Sequence, residues 1–312
     1  MSLKRALITA EVHSYLPQRL KALGFTVDIF PDIEREKLLQ IIPDYTLLII
    51  TTYTKVDSIL IDRAINLKIV GRVGSGMENV DTEYCHQKDI ACVNSPEGNA
   101  NAVGEHCLAM LLNVLNNINK ANNELKNRIF LREENRGEEL DGKTVGIIGY
   151  GHTGQAFAKK LRGFDVDILV YDKYKQAEDR YVKNTSLKEI QENCDVISFH
   201  VPYTHETHYY CDGNFIAGCA KTPVIINTSR GGIIELASIT NALHHKHLRG
   251  LCIDVFEDEP VTKNKVHSVL EYDLLFSYPN VIATPHIAGW TIESKYKLAK
   301  ILMDKIELSV HG

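Results

Sequence analysis

Three apolar runs in the second half of the chain each end on a polar residue suited to anion or proton chemistry. Val224-Ile225-Ile226-Asn227-Thr228-Ser229-Arg230 ends on an arginine. Leu251-Cys252-Ile253-Asp254-Val255-Phe256-Glu257-Asp258-Glu259-Pro260 runs into an acidic cluster. Val281-Ile282-Ala283-Thr284-Pro285-His286 ends on a histidine. A guanidinium fork grips a carboxylate with two parallel charge-assisted hydrogen bonds. An imidazole takes up and returns a proton near neutral pH. A carboxylate beside it orients the ring and favours its protonated form. Together these suit a 2-hydroxy acid: Arg230 for its carboxylate, His286 for the hydroxyl proton that leaves as hydride departs, and Glu259 as partner to the histidine.

A hydride needs an acceptor, and the sequence upstream supplies a place for one. Thr144-Val145-Gly146-Ile147-Ile148 leads into Gly149-Tyr150-Gly151-His152-Thr153-Gly154 and then a helical pattern over 155–162. In such a G-x-G-x-x-G turn the glycines allow a tight bend, backbone approach to a pyrophosphate and close helix–strand packing. The helix N-terminus adds free N–H groups for the phosphates. A further strand pattern over 167–171 ends on Asp172. An acidic side chain there accepts from ribose hydroxyls and repels a 2′-phosphate, so the expected cofactor is NAD rather than NADP.

The elements that must position these residues alternate along almost the whole chain. In the first part strand patterns fall at 6–9, 26–30, 47–51, 68–73 and 90–94, with amphipathic stretches such as 15–23 and 57–64 between them. A turn-rich segment, Ser95-Pro96-Glu97-Gly98-Asn99, precedes a long helix expected from Asn101 to Asn119, and a charged, loop-like segment follows from Lys126 to Asp141. The second series has six strand patterns: 144–148, 167–171, 196–199, 224–227, 251–255 and 281–284. Strand–helix alternation with near-continuous apolar strands predicts an α/β fold of two domains with parallel sheets. In open sheets of this kind ligands bind beyond the carboxyl ends of the strands, so the three strand ends can face one crevice.

Composition narrows the class. With 312 residues, 44% hydrophobic and 24% charged, the chain reads as an ordinary two-domain globular protein. A net charge of −5 argues against nucleic acid or an anionic membrane as the main partner. The most apolar helical stretch, 102–118, is interrupted by Glu105, His106, Asn113, Asn116 and Asn117, so no membrane span is expected. No signal-peptide pattern opens the chain, and the seven cysteines are scattered without a C-x-x-C pair. A cytoplasmic location with reduced thiols is therefore expected. His244, His245 and His247 lack the second cluster a zinc site needs, and His205 and His208 fall in a loop pattern read as surface, so no metal is expected.

The ordered motifs resemble the D-isomer-specific 2-hydroxyacid dehydrogenase family over essentially the whole chain. The NTSRGG-like, DVFEDEP-like and TPHIAG-like segments match the family's substrate arginine at Arg230, its glutamate at Glu259 and its acid/base histidine at His286. The resemblance implies a Rossmann-type doubly wound NAD-binding domain over 99–287. It also implies a smaller flavodoxin-like α/β substrate domain from 1–98 plus 288–312. It places Thr228 and Asp254 near the nicotinamide and Val201 and Pro202 on the adenine side, with Thr207 carried along as a cofactor-side residue. It further implies substrate held between the domains, hinge closure, and a homodimer built on the long 101–119 helix.

Within the family, Gly71-Arg72-Val73-Gly74-Ser75-Gly76-Met77-Glu78-Asn79-Val80-Asp81 is similar to the substrate loop of phosphoglycerate dehydrogenases. Backbone N–H groups of Val73, Gly74, Ser75 and Gly76 are expected to meet the substrate carboxylate, and Arg72 a phosphate. Many such enzymes also carry an arginine at the end of the third strand, where this chain reads Ile50-Thr51-Thr52-Tyr53. The resemblance thus implies D-3-phosphoglycerate and 3-phosphohydroxypyruvate first. Glycerate or hydroxypyruvate and erythronate 4-phosphate are alternatives. A corepressor-like NADH-sensing module is the alternative outside enzymology.

Overall fold

Runs of branched apolar residues, buried on both faces of the pleat, build two sheets in the computed structural model, which describes residues 4–257, 259 and 270–311. Asp258 and Pro260 of the acidic motif lie outside the described residues. The chain divides into two units, Met1–Asn99 with Trp290–Gly312, and Ala100–Gly289.

The first unit holds β1 (Arg5–Ile8), β2 (Thr26–Ile29), β3 (Leu47–Ile50), β4 (Ile69–Arg72) and β5 (Ala91–Asn94), ordered β2-β1-β3-β4-β5 and all parallel. That order is the flavodoxin-like one. Because side chains alternate along a strand, Leu47, Ile49 and Ile69 enter one core while Leu48, Ile50 and Val70 enter the other. The first of these cores is closed by the C-terminal helix Ile292–His311, which buries Ala299, Leu302, Met303 and Ile306 completely. Ion pairs Arg19–Glu307 and Lys305–Glu97 tie the same helix down at its rim.

The second unit contains β6 (Thr144–Ile148), β7 (Asp167–Tyr171), β8 (Lys183–Asn184), β9 (Val196–Phe199), β10 (Val224–Asn227), β11 (Gly250–Ile253) and β12 (Val281–Ala283). Their order is β12-β11-β10-β9-β6-β7-β8, again all parallel. The order reverses between β6 and β9, the switch point at which doubly wound sheets open a crevice. Alternation again feeds two cores: Val145, Ile147, Val224 and Ile226 on one face, Ile197, Phe199, Ile225 and Leu251 on the other.

Two expectations are corrected. Among the described residues the sheet has seven strands rather than six, because β8 is a two-residue edge strand whose Lys183 and Asn184 are exposed and carry no apolar signal. The long helix is shorter than 101–119. It spans Ala100–Leu115, and Asn117 then takes a left-handed φ of 53° before a separate helix, Ile118–Lys126. Asparagine tolerates that conformation better than most residues, which explains a break inside an otherwise helical pattern.

Candidate active site

The glycine turn follows β6 at the switch point. Gly149 has φ +92°, and a Cβ there would lie 2.5 Å from the His200 carbonyl oxygen. A Cβ on Gly154 would lie 2.2 Å from the Gly149 carbonyl oxygen. Both positions therefore demand glycine, the first by conformation and the second by close packing. Above Gly151, by contrast, nothing lies within 4 Å of a built Cβ. The helix His152–Leu161 begins there with Gly151 as its N-cap. A tight turn with open space above Gly151, leading into a helix N-terminus, fits a pyrophosphate. Of the turn's residues, His152 is exposed and Thr153 half-buried.

Asp172 stands just past β7. Its Oδ2 accepts from the Tyr150 N–H at 2.8 Å, and its Oδ1 from the N–H groups of Tyr174 and Lys175 at 2.9 and 3.2 Å. The carboxylate thereby fixes the glycine turn and keeps lone pairs for further donors. On the other side of β6, Val201 is half-buried and Pro202 exposed. The Thr207 hydroxyl is spent inside its own loop, donating to the Pro202 carbonyl at 2.6 Å and accepting from the Thr204 N–H at 2.8 Å.

His200, which sequence reasoning passed over, locks this region from below. It is buried, with Nε2 2.8 Å from Ser198 Oγ and Nδ1 3.2 Å from Thr153 Oγ1. Burial drops its pKa to about 3, so the ring is neutral. A histidine at the end of an apolar run gave no sign of this, because its bond to Thr153 joins it to a helix far back in the sequence.

The three polar strand ends emerge side by side. Asn227 of β10 pairs in register with Ile253 of β11, and Ile253 with Ala283 of β12. Arg230, Asp254 and His286 thus all follow carboxyl ends of neighbouring parallel strands, at the edge of the sheet that also carries the glycine turn. Buried Asn227 shapes the first loop, donating to the Arg230 carbonyl at 2.9 Å and accepting from the Ser229 N–H and hydroxyl. Arg230 Nη1 donates to the Ser229 carbonyl at 2.6 Å. Thr228 Oγ1 lies 3.3 Å from Cys107 Sγ on the Ala100–Leu115 helix.

His286 Nδ1 and Glu259 Oε2 are 2.6 Å apart, and Glu259 Oε1 accepts from the Phe256 N–H at 3.2 Å. The histidine and glutamate side chains keep 47% and 35% of their exposure, so the pair is reachable from solvent. Asp254 is fully buried. It takes N–H groups of Ile287 and Ala288 and the Thr284 hydroxyl, so in this structure it organises the loop that carries His286.

In the first unit, Arg72 closes β4 and its Nη2 lies 3.4 Å from Thr52 Oγ1, just past the end of β3. Gly74 has φ +145°, and a Cβ on it would meet the Arg72 guanidinium at 1.7 Å. The Gly74 N–H donates to Ser95 Oγ, Ser75 Oγ to Asn99, and Asn94 to the Ser75 carbonyl. Val73 packs at the edge of the core and Gly76 is half-buried. Asn79, at the end of the 71–81 segment, donates its amide to the carbonyls of Thr51 and Thr54 and holds the loop after β3.

Residues 108–288 match the model of the D-isomer specific 2-hydroxyacid dehydrogenase NAD binding domain. The chain is 33% identical to a hydroxypyruvate reductase of Thermotoga maritima over 274 residues, 88% of each protein. It is 34% identical to a D-3-phosphoglycerate dehydrogenase of Bacillus subtilis over 262 residues, 83% of this chain and 48% of that one. The chain spans about half the length of the phosphoglycerate dehydrogenases it matches. A crystal structure of D-lactate dehydrogenase from Aquifex aeolicus with NAD and lactic acid superposes with a TM-score of 0.85 at 27% identity, covering 98% of this chain and 96% of that one.

Proposed function

The chain belongs to the D-isomer-specific 2-hydroxyacid dehydrogenase family, and from that premise we propose that it is an NAD-dependent oxidoreductase acting on D-3-phosphoglycerate and 3-phosphohydroxypyruvate. The observation that carries the chemistry is the His286–Glu259 pair, 2.6 Å apart, on the strand-end loops neighbouring Arg230. With Nδ1 directed at the carboxylate, His286 has Nε2 left to take the substrate's hydroxyl proton during oxidation. It returns that proton to the new oxyanion during reduction. Glu259 holds the ring in that orientation through both events.

NAD, when bound, supplies the hydride acceptor. The residues assigned to hold it are Gly149, Gly151, His152, Thr153 and Gly154 at the pyrophosphate and Asp172 at the ribose. Val201, Pro202 and Thr207 are assigned to the adenine side, and Thr228 and Asp254 to the nicotinamide end. Arg230 is assigned to the substrate carboxylate. In the first unit the Val73 and Gly74 N–H groups are spent on the Ile50 carbonyl and Ser95 Oγ, so the backbone donors assigned to substrate are those of Ser75 and Gly76. Arg72 is assigned to the phosphate: its guanidinium lies against Thr52, at the strand end where related enzymes are expected to carry a second arginine. The likeness to a hydroxypyruvate reductase over 88% of both chains favours hydroxypyruvate as the second substrate reading.

The unit 1–99 with 290–312 is assigned to the substrate and 100–289 to the nucleotide. The functional species we assign is a cytoplasmic homodimer. Ile118, Leu125, Ile129, Phe130 and Leu131 are all exposed along one stretch, an apolar area that a second copy would cover. Free cysteines, most of them buried, suit a reducing compartment.

The test is NADH oxidation by the purified protein against 3-phosphohydroxypyruvate, hydroxypyruvate, pyruvate and 2-oxo-3-hydroxy-4-phosphobutanoate. The highest kcat/KM is expected for 3-phosphohydroxypyruvate, falling on Arg72→Ala. A preference for the unphosphorylated acid moves the assignment to hydroxypyruvate. NADH binding without turnover of any of them would support the sensing module instead.

A further inference from the structure

His286 sits in a left-handed backbone conformation, φ +56°, which a non-glycine residue holds only when its surroundings impose it. Besides the Thr284 carbonyl, which accepts from the His286 N–H at 3.1 Å, the imposition comes from Asp254. Asp254 accepts from the Ile287 N–H at 2.9 Å and the Ala288 N–H at 2.7 Å through its carboxylate, while its carbonyl accepts from the His286 N–H at 2.8 Å. The fourth bond comes from the Thr284 hydroxyl, 2.5 Å from Asp254 Oδ1.

Thr284 Oγ1 has a second polar neighbour, His106 Nε2 at 2.9 Å, from the Ala100–Leu115 helix. A hydroxyl has one proton, and an ionised carboxylate is an acceptor only. The Thr284 proton is therefore committed to Asp254. Toward His106 the hydroxyl oxygen must accept, so His106 Nε2 carries a hydrogen. The same nitrogen is 3.8 Å from Asp254 Oδ1. A side chain at this depth, 21% exposed for His106 and 1% for Asp254, has little water to substitute for a missing donor.

We propose that His106 is a positioning residue for the acid/base: its Nε2–H orients the Thr284 hydroxyl, which completes the donor set of Asp254 and so holds His286 in its working conformation. It touches neither substrate nor reacting atoms. The inference rests on the acid/base reading of His286 and adds a residue that the strand-end motifs do not contain. His106 is bracketed in sequence by Glu105 and Cys107 on a helix that otherwise packs apolar side chains into the core, so its role is set by what it meets across the fold.

The test uses the full chain carrying His106→Leu, His106→Gln, Thr284→Val or His286→Ala, with NADH and the best 2-oxo acid of the panel. His106→Leu is expected to lower kcat on the order of 10- to 100-fold, the usual penalty of a slightly misplaced reacting group. NADH affinity should be unchanged. His106→Gln, whose amide donates at similar reach, is expected to recover most of the rate. Thr284→Val should reproduce the loss if His106→Leu fails to fold. Unchanged kcat in either His106→Leu or Thr284→Val, or a glutamine variant as slow as the leucine one, overturns the inference. Full activity in His286→Ala instead removes the reading beneath it, so the two failures are distinguishable.

Discussion

At the residue scale, the difference between a surface histidine and an acid/base is one neighbour. His286 with Glu259 at 2.6 Å has its ring fixed, while its other nitrogen remains for a substrate proton. His286→Ala is expected to slow turnover on the order of 10²–10⁴-fold, read as kcat with NADH saturating. Near-normal turnover would take it out of the mechanism. Arg230→Lys is expected to raise KM for the oxo acid, because an ammonium cannot form the bidentate fork; an unchanged KM assigns the carboxylate to another group. Asp172→Ala should improve the use of NADPH relative to NADH, and an unaltered ratio would mean that another residue sets it. That Arg230, Asp254 and His286 follow the ends of apolar strands was legible in the sequence. His106 and His200 were not, because each meets a partner far along the chain, Thr284 and Thr153 respectively.

At the element scale, strands and glycines did most of the positioning, and both were legible. Near-continuous apolar runs alternating with helical patterns read as parallel strands, and G-x-G-x-x-G read as the turn between a strand and a helix, which is where it lies. What escaped was β8, whose two exposed polar residues pair only because β7 offers an edge, and the break at Asn117, a choice of backbone conformation rather than of side-chain pattern. The turn gives a direct test. Gly149→Ala places a side chain at φ +92° and a methyl against the His200 carbonyl. The conformation alone costs roughly 1–2 kcal/mol. Weaker NADH binding is expected by fluorescence titration, with kcat at saturating NADH less affected; unchanged affinity would mean that the turn is not the pyrophosphate cradle.

For the whole molecule, the site is tied to acid stability through His200. Its pKa is depressed from 6.5 to about 3 by burial, so the unfolded chain binds the proton first. The stabilisation is present above pH 6.5 and is lost as pH falls toward 3, at about 1.4 kcal/mol per pH unit. Asp195, lowered chiefly by the Thr144 N–H and Lys221 working against its own burial, adds a loss in the same direction at lower pH. Urea midpoints measured from pH 7 downward should therefore fall more steeply for the wild type than for His200→Gln, which starts less stable for want of its bonds to Ser198 and Thr153. Parallel curves would mean that His200 is not protonated on unfolding.

The central claim is hydride transfer between a nicotinamide and C2 of a 2-oxo acid, with His286 supplying the proton. NADH carrying deuterium at both C4 positions, incubated with the enzyme and 3-phosphohydroxypyruvate, tests it most directly. Mass spectrometry and chiral analysis of the product are expected to find one deuterium on C2 of the D-2-hydroxy acid, with the product strongly reduced in His286→Ala. An unlabelled product, or an L-configured one, would contradict the account.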